Sequence, residues 1–334
     1  MSNLLDVYKL SKHFPVRSGL FRRKKTYVYA VDEISFSVGR NETLGLVGES
    51  GCGKSTLART ILHLLSPTSG QVSFKGKNLF EMHSRERQKL RQGIQMIFQD
   101  PFGSLNPRLT VERIVEEPLL THGADGRSAR MKRVKEMLST VGLLPEHMKR
   151  FPHEFSGGQR QRIMLARALV LKPEMIIADE PVSALDVSVQ AQMLNLLNRL
   201  QKQFGLSYIF VSHDLGVIRH VSHRVAVMYL GEIVELAPVT SLYTNPLHPY
   251  TRSLLSSIPI PDPHQKNRKK TILQGDVPSP LNSPPGCRLH TRCPECMDIC
   301  IEEKPPARLM EDRHIVSCHL YSTGELWSPP APER

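Results

Sequence analysis

The sequence predicts an α/β fold with a largely parallel sheet, on three observations. Short runs rich in β-branched or aromatic residues, bounded by turns or polar steps, lie at 43–47, 175–178, 208–211 and 225–229. Segments of helical period separate them: Met131, Val134, Leu138 and Val141, then Val189, Met193, Leu196, Leu197, Leu200 and Phe204. The run at 43–47 leads into a glycine-rich loop that ends in a lysine and opens a helix through Leu57, Ile61 and Leu64. Strands alternating with amphipathic helices are the signature of a parallel sheet whose crossovers are helical.

Composition sets the frame around that core. The chain has 334 residues, 40% hydrophobic and 23% charged, which excludes wholesale disorder and collagen-like or low-complexity architectures. At about 150 residues per domain the length suggests two domains. Lys and Arg outnumber Asp and Glu by 44 to 32, a net charge of +12 that suits nucleic acid, a polyphosphate nucleotide or an acidic membrane face. The longest unbroken apolar run, 225–230, is far short of the ~20 residues a membrane-spanning helix needs. Asp6, Lys9, Lys12 and His13 occupy the place of a signal peptide's apolar core, so an intracellular protein is expected, with cysteines read as thiols or metal ligands. Composition shifts after Leu236 and proline becomes frequent from Pro246. Residues 1–245 are therefore expected to form one α/β domain, and 246–334 a loop-rich extension. The basic runs at 22–25 and 266–270 read as solvated loops.

The loop is Gly48, Glu49, Ser50, Gly51, Cys52, Gly53, Lys54, Ser55 and Thr56, matching G-x-x-x-x-G-K-[ST] between a strand and a helix. Glycine lets successive N–H groups turn inward around phosphate oxygens. Lys54 supplies a cation to the β- and γ-phosphates, Ser55 a hydroxyl to Mg²⁺, and the helix N-terminus a partial positive charge. Asp179 and Glu180 follow the run at 175–178. Adjacent carboxylates at the end of a buried strand are costly without a cation. Asp179 fits Mg²⁺ binding, and Glu180 fits polarisation of an attacking water. These elements alone indicate nucleoside-triphosphate hydrolysis without fixing the class.

Further motifs narrow it. Ser156, Gly157, Gly158 and Gln159 stand about twenty residues before the Asp–Glu pair; Gln99 lies in Ile-Phe-Gln-Asp-Pro, Ser183 and Asp186 in Ser-Ala-Leu-Asp, and His213 in Val-Ser-His-Asp. With these, residues 1 to about 240 resemble ABC-type ATPases. Phe155 replaces the commoner leucine before the signature, a mild apolar exchange. The resemblance implies a P-loop NTPase with a RecA-like core, an N-terminal antiparallel β-subdomain and a helical signature subdomain. It implies ATP sandwiched between two head-to-tail domains, with Ser156–Gln159 meeting the partner's ATP. Gln99 would sense Mg²⁺ and water, His213 would hold the γ-phosphate, and Ser183 and Asp186 would form the D-loop. Read by itself, Ser156 is also a good helix N-cap. Adenine is expected to stack on Phe14, with Tyr27 as the rival because 17–25 looks like an insertion.

The extension points further. Asn245-Pro-Leu-His-Pro-Tyr-Thr-Arg252, Val277-Pro-Ser-Pro-Leu-Asn282 and Pro285-Gly-Cys287 resemble the C-terminal region of the second ATPase subunit of bacterial dipeptide or oligopeptide importers, as do the segments 103–108 and 151–154. That resemblance implies a heterodimer with a sister ATPase, two membrane permease subunits, an extracytoplasmic peptide-binding protein, and a peripheral position on the cytoplasmic face of the membrane, with no nucleic-acid partner. Phe102 and Leu105 are expected in the groove that receives the permease. Cys287, Cys293, Cys300 and Cys318 follow the subfamily's C-x5-C-x6-C pattern with a later cysteine, leaving Cys296 spare. Four thiolates suit a [4Fe–4S] cluster or tetrahedral zinc, and the resemblance favours the cluster. Metal-chelate import by the same machinery, and a soluble ABC ATPase acting on nucleic acid or ribosomes, are the alternatives.

Overall fold

Alternating apolar residues near the N-terminus (Leu5, Val7 and, on the returning strand, Ile34, Phe36 and Val38) bury one face of a long hairpin formed by Leu5–Arg17 and Lys25–Val38. The structure, a computed structural model, describes residues 3–17, 25–123, 126–258 and 273–329. The basic run at 266–270, most of that at 22–25 and the side chain of Phe102 lie outside the described residues. The chain divides into two units, one of residues 1–38, 44–80 and 212–334, the other of 39–43 and 81–211.

In the first unit the hairpin belongs to an antiparallel sheet ordered Lys25–Val38, Leu5–Arg17, Ser69–Phe74, Lys77–Asn78. Thr43–Val47, buried at every position, pairs in parallel with Arg224–Tyr229, Leu44 opposite Arg224 and Val47 opposite Val227. Arg224–Tyr229 pairs antiparallel with Glu232–Pro238. The extension, expected to be loop-rich, continues this pairing: Ile315–Ser317 lies beside Glu232–Pro238, followed by Ala307–Leu309 and Glu325–Leu326. Those strands span two or three residues each, too few for alternation to register in a sequence. The helix after the glycine-rich loop runs Lys54–Ile61 and stops before Leu64, which is half exposed.

The second unit carries a parallel three-strand set, Ile94–Ile97, Met175–Asp179 and Ser207–Val211. Helix Val187–Phe204 ends at Gly205, whose φ of 65° is the left-handed conformation of a helix C-terminus. Helices Val111–Thr121, Arg127–Thr140 and Gly157–Leu169 pack together, joined by Arg130–Glu116 and Arg167–Glu117 ion pairs, each 2.8 Å. Among the described residues no helix is long and apolar enough to cross a membrane.

Candidate active site

Strand Thr43–Val47 delivers the chain to the loop, whose shape depends on two glycines. A Cβ on Gly48 (φ 155°) would stand 2.1 Å from the Met228 carbonyl oxygen, and one on Gly53 (φ 109°) 2.0 Å from that of Ala30. No other residue fits these positions without backbone movement. Lys54 is 4% exposed, and its Nζ donates to the carbonyl oxygens of Gly48 (2.8 Å) and Glu49 (2.9 Å). It also donates to the Cys52 sulfur at 3.7 Å; a buried ammonium held by carbonyl dipoles and a neutral thiol remains a strong anchor for an anion. Gly53 stands at the helix N-cap with no side-chain cap, so the first turn of Lys54–Ile61 presents backbone N–H groups to the loop. Burial raises the pKa of the Cys52 thiol although Lys54 opposes the shift, so Cys52 stays a neutral packing residue. Ser212 N–H donates to the Leu46 carbonyl at 3.1 Å, which registers the exposed His213 against the strand that feeds the loop. Asp214 then caps helix Leu215–Val221, accepting from Gly216 N–H at 2.7 Å.

The other candidates belong to the second unit. Asp179 ends a fully buried strand and is 0% exposed. Glu180 follows with φ 47°, a conformation that costs a non-glycine residue about 1–3 kcal/mol, and its N–H donates to the Val211 carbonyl at 3.0 Å. Gln99 Nε2 donates to Glu180 Oε2 at 2.9 Å, bringing together the two residues expected to sense and to polarise water. Ser183 Oγ donates to the Glu180 carbonyl at 3.1 Å, and Asp186 is the exposed N-cap of helix Val187–Phe204. Ser156 caps helix Gly157–Leu169 in a reciprocal box: its N–H donates to Gln159 Oε1 (3.0 Å) and its Oγ accepts from Gln159 N–H (3.4 Å). Ser156 is exposed, Gly157 half-buried and Gly158 buried, where a Cβ would meet Val189 at 2.5 Å. Phe155 is buried, its ring edge-on to His147. Leu105 is buried at 2% exposure.

Phe14 and Tyr27 lie on opposite faces of the N-terminal hairpin. Phe14 pairs with Val28 and Pro15 with Tyr27 in an unbroken register, and successive residues of a strand alternate faces. Lys12 Nζ stands 4.9 Å from the Phe14 ring centroid, whereas Tyr27 is 37% exposed.

The extension supplies residues that spacing did not single out. Tyr250, 0% exposed, accepts a 2.8 Å hydrogen bond from Glu49 N–H, and Arg292 forms a fork onto the Glu49 carboxylate at 3.0 and 3.2 Å. Burial works against the Arg292 charge, yet its hydrogen bonds to Glu49 and Tyr229 prevail and raise its pKa. Residues 277–280 and Glu49–Cys52 line one cleft with Tyr229 and Leu230.

Cys287, Cys293, Cys300 and Cys318 are free thiols; Cys300 and Cys318 are buried, and the other two half-buried. Burial, then the charges of the neighbouring cysteines, pushes Cys287 up to about 12 and Cys318 to about 11. The thiols thus lie within electrostatic range of one another, but among the described residues no three His, Cys, Asp or Glu side chains are placed to hold a metal ion. Neutral thiols have little to draw them together, and thiolates repel; closure of such a group needs a cation.

Comparison with known proteins agrees with this arrangement. A family profile described as "ABC transporter" matches residues 31–183, and one described as "Oligopeptide/dipeptide transporter, C-terminal region" matches 234–300. The chain is 54% identical to the oligopeptide transport ATP-binding protein AppF of Bacillus subtilis (strain 168), covering 96% of this chain and 98% of that protein. It is 51% identical to the oligopeptide transport ATP-binding protein OppF of Salmonella typhimurium, covering 94% and 95%. The di/tripeptide transport ATP-binding protein DppF of Pseudomonas aeruginosa is 48% identical, covering 96% and 98%. Among solved structures, the dimeric ATP-binding cassette MJ0796 bound to ADP and phosphate superposes with a TM-score of 0.62 at 30% identity, covering 70% of this chain and 98% of that one. Identity of this order along nearly the whole chain, over a phosphate loop and a Gln99–Glu180 pair already in place, means that the protein belongs to the oligopeptide and dipeptide transport ATP-binding family of ABC-type ATPases.

Proposed function

We propose that this chain is the energy-coupling ATPase of an importer of dipeptides or oligopeptides. The supporting observation is that similarity to peptide-transport ATP-binding proteins includes the extension as well as the ATPase core. Lys54 and the loop N–H groups bind the β- and γ-phosphates, Phe14 carries the adenine, and His213 contacts the γ-phosphate. Ser55, Asp179 and Gln99 hold Mg²⁺, which supplies charge neutralisation at the phosphates when bound. Glu180 accepts a proton from the attacking water, oriented by Gln99 and by its own strained backbone. Ser156–Gln159 meet ATP bound by a sister ATPase, and Ser183 and Asp186 line the contact between the two. The pair docks peripherally on two permease subunits at the cytoplasmic face of the membrane, and an extracytoplasmic protein delivers the peptide. The +12 charge suits that anionic surface. Residues 1–245 constitute the ATPase domain and 246–334 the extension.

Cys287, Cys293, Cys300 and Cys318 are the donors for a [4Fe–4S] cluster, with zinc as the other metal that four thiolates suit. When bound, the centre ties together an extension poor in apolar residues. Iron and acid-labile sulfide in anaerobically purified protein, lost on Cys300→Ser substitution, test that assignment.

The function is tested by reconstituting the chain with its co-purifying permease and binding protein in proteoliposomes. Peptide-stimulated ATP hydrolysis and peptide uptake are expected, both abolished by Lys54→Ala. Uptake that persists in that variant would overturn the proposal.

A further inference from the structure

The peptide unit and side chain of Glu49 are held on every side. Its N–H donates to Tyr250 Oη at 2.8 Å. Its carbonyl accepts from Lys54 Nζ at 2.9 Å and from Cys52 N–H at 3.3 Å. Its carboxylate takes the Arg292 fork, and Arg292 is also within 3.4 Å of Tyr229 Oη. Tyr229 and Tyr250 pack ring against ring, centroids 4.7 Å apart, so the two holding groups share one support. Both Tyr250 and Arg292 come from the extension, far along the chain from the loop. Arg292 directly precedes Cys293.

Two consequences follow for an anion-binding loop. The Glu49 N–H points at Tyr250 and is taken out of the set that surrounds phosphate, which fixes the direction in which the loop turns. A carboxylate one residue into a phosphate loop works against a polyanion through simple repulsion. The Arg292 side chain is 9% exposed and Glu49 27%, so the pair is only partly screened by water, and the guanidinium offsets that charge at the point where it matters.

We infer that Tyr250 and Arg292 are positioning residues for ATP binding: the extension shapes the phosphate loop through Tyr250 and neutralises it through Arg292. The inference rests on the reading of the loop as the ATP phosphate site. Tyr250→Phe removes one hydroxyl and preserves the ring. It should raise the KM for ATP about fivefold, as expected for loss of one hydrogen bond, with kcat within about twofold. Arg292→Gln should raise KM about tenfold, and added salt should shrink that defect because its origin is an uncompensated charge. The Glu49→Gln/Arg292→Gln double variant should recover most of the loss, which a purely structural role for Arg292 would not predict. Tyr208→Phe, which removes a buried hydroxyl bonded to the Leu197 carbonyl in the second unit, serves as a control expected to leave KM unchanged.

The measurements are steady-state ATP hydrolysis by the assembled transporter and MgATP binding to the full chain, with Lys54→Ala alongside. Unchanged KM and binding in both Tyr250→Phe and Arg292→Gln, with binding lost in Lys54→Ala, would overturn the inference and leave the phosphate-site reading standing. Undiminished binding in Lys54→Ala would overturn the reading itself, and the inference with it.

Discussion

Acidification should loosen the extension through one residue, His248. Its ring is 1% exposed, its Nδ1 accepts from Tyr250 N–H at 3.1 Å as the N-cap of helix Pro249–Ser256, and its own N–H donates to Glu235 Oε2 at 3.0 Å. Burial pushes its pKa down from 6.5 to about 4, opposed by the Glu235 charge and reinforced by Arg252. The folded protein therefore keeps this imidazole neutral where the unfolded chain, titrating near 6.5, takes up a proton. The stabilisation is fully present above pH 6.5 and is lost as pH falls toward 4. A gap of about 2.5 pKa units corresponds to about 3 kcal/mol in all, of which about 2 kcal/mol is lost between pH 7.5 and 5. His248→Asn keeps a cap acceptor and removes the titration. Urea unfolding at pH 7.5, 6 and 5 should show the parent losing about 2 kcal/mol more than the variant across that range. The ring resonance of His248 should titrate near pH 4 in the folded protein. Parallel losses in parent and variant, or a ring titrating near its ordinary value, would refute the reasoning.

Glu180→Gln should lower ATP turnover by about a hundredfold or more while MgATP binding persists; turnover within tenfold of the parent would remove Glu180 from the role of base. Gly53→Ala places a Cβ 2.0 Å from the Ala30 carbonyl at φ 109°, so MgATP binding should be lost and the melting temperature should fall, and an affinity equal to the parent's would show that the loop tolerates other shapes. Glu235 is 0% exposed and accepts from His314 Nε2 (2.6 Å), Leu247 N–H (2.7 Å) and His248 N–H. Glu235→Gln should cost about 3 kcal/mol in urea unfolding at pH 7.5, and a change under 1 kcal/mol would contradict the assigned burial of those donors. Phe14→Ala should weaken ATP binding by about tenfold and Tyr27→Ala should leave it unchanged; the reverse would assign the adenine to the other face of the hairpin.

Legibility in the sequence followed the strength of local signals. Four of the parallel strands were readable as runs of buried residues, Met175–Asp179 and Ser207–Val211 at every position, whereas Ile94–Ile97, buried only at its two ends, was not. The phosphate loop was readable because its glycines answer to backbone geometry, a demand that leaves a fixed spacing. Alternation marks only one end of the long hairpin, at Leu5, Val7, Phe36 and Val38, because bulges between Val7 and Leu10 and between Leu10 and His13 shift the register and break the period of two beyond it. The short strands of the extension escaped for want of length. The roles of Tyr250, which stands in the 245–252 segment, and of Arg292 escaped for a different reason: no local pattern tells that the partner of either side chain is Glu49, some two hundred residues away.

How far the extension can influence the nucleotide is bounded by the contacts it makes. From the buried Glu235 the path runs through the His248 cap to helix Pro249–Ser256, and from Tyr250 to the loop; Arg292 reaches the same residue from the cysteine segment. The fivefold and tenfold losses expected for the Tyr250 hydrogen bond and the Arg292 fork multiply to about fiftyfold, or about 2.3 kcal/mol. On the proposed reading, triphosphate binding also draws on Lys54 and several backbone N–H groups of the loop and helix, which the loss of those two contacts would misalign but not remove. The extension therefore lacks the leverage to switch ATP binding off, but it has enough to shift the affinity across a working range of nucleotide concentration. The same arithmetic limits anything that acts through the cysteines. Because Arg292 adjoins Cys293, a change that moved that segment would act on ATP mainly through the Glu49 carboxylate, and its effect should vanish in a Glu49→Gln background.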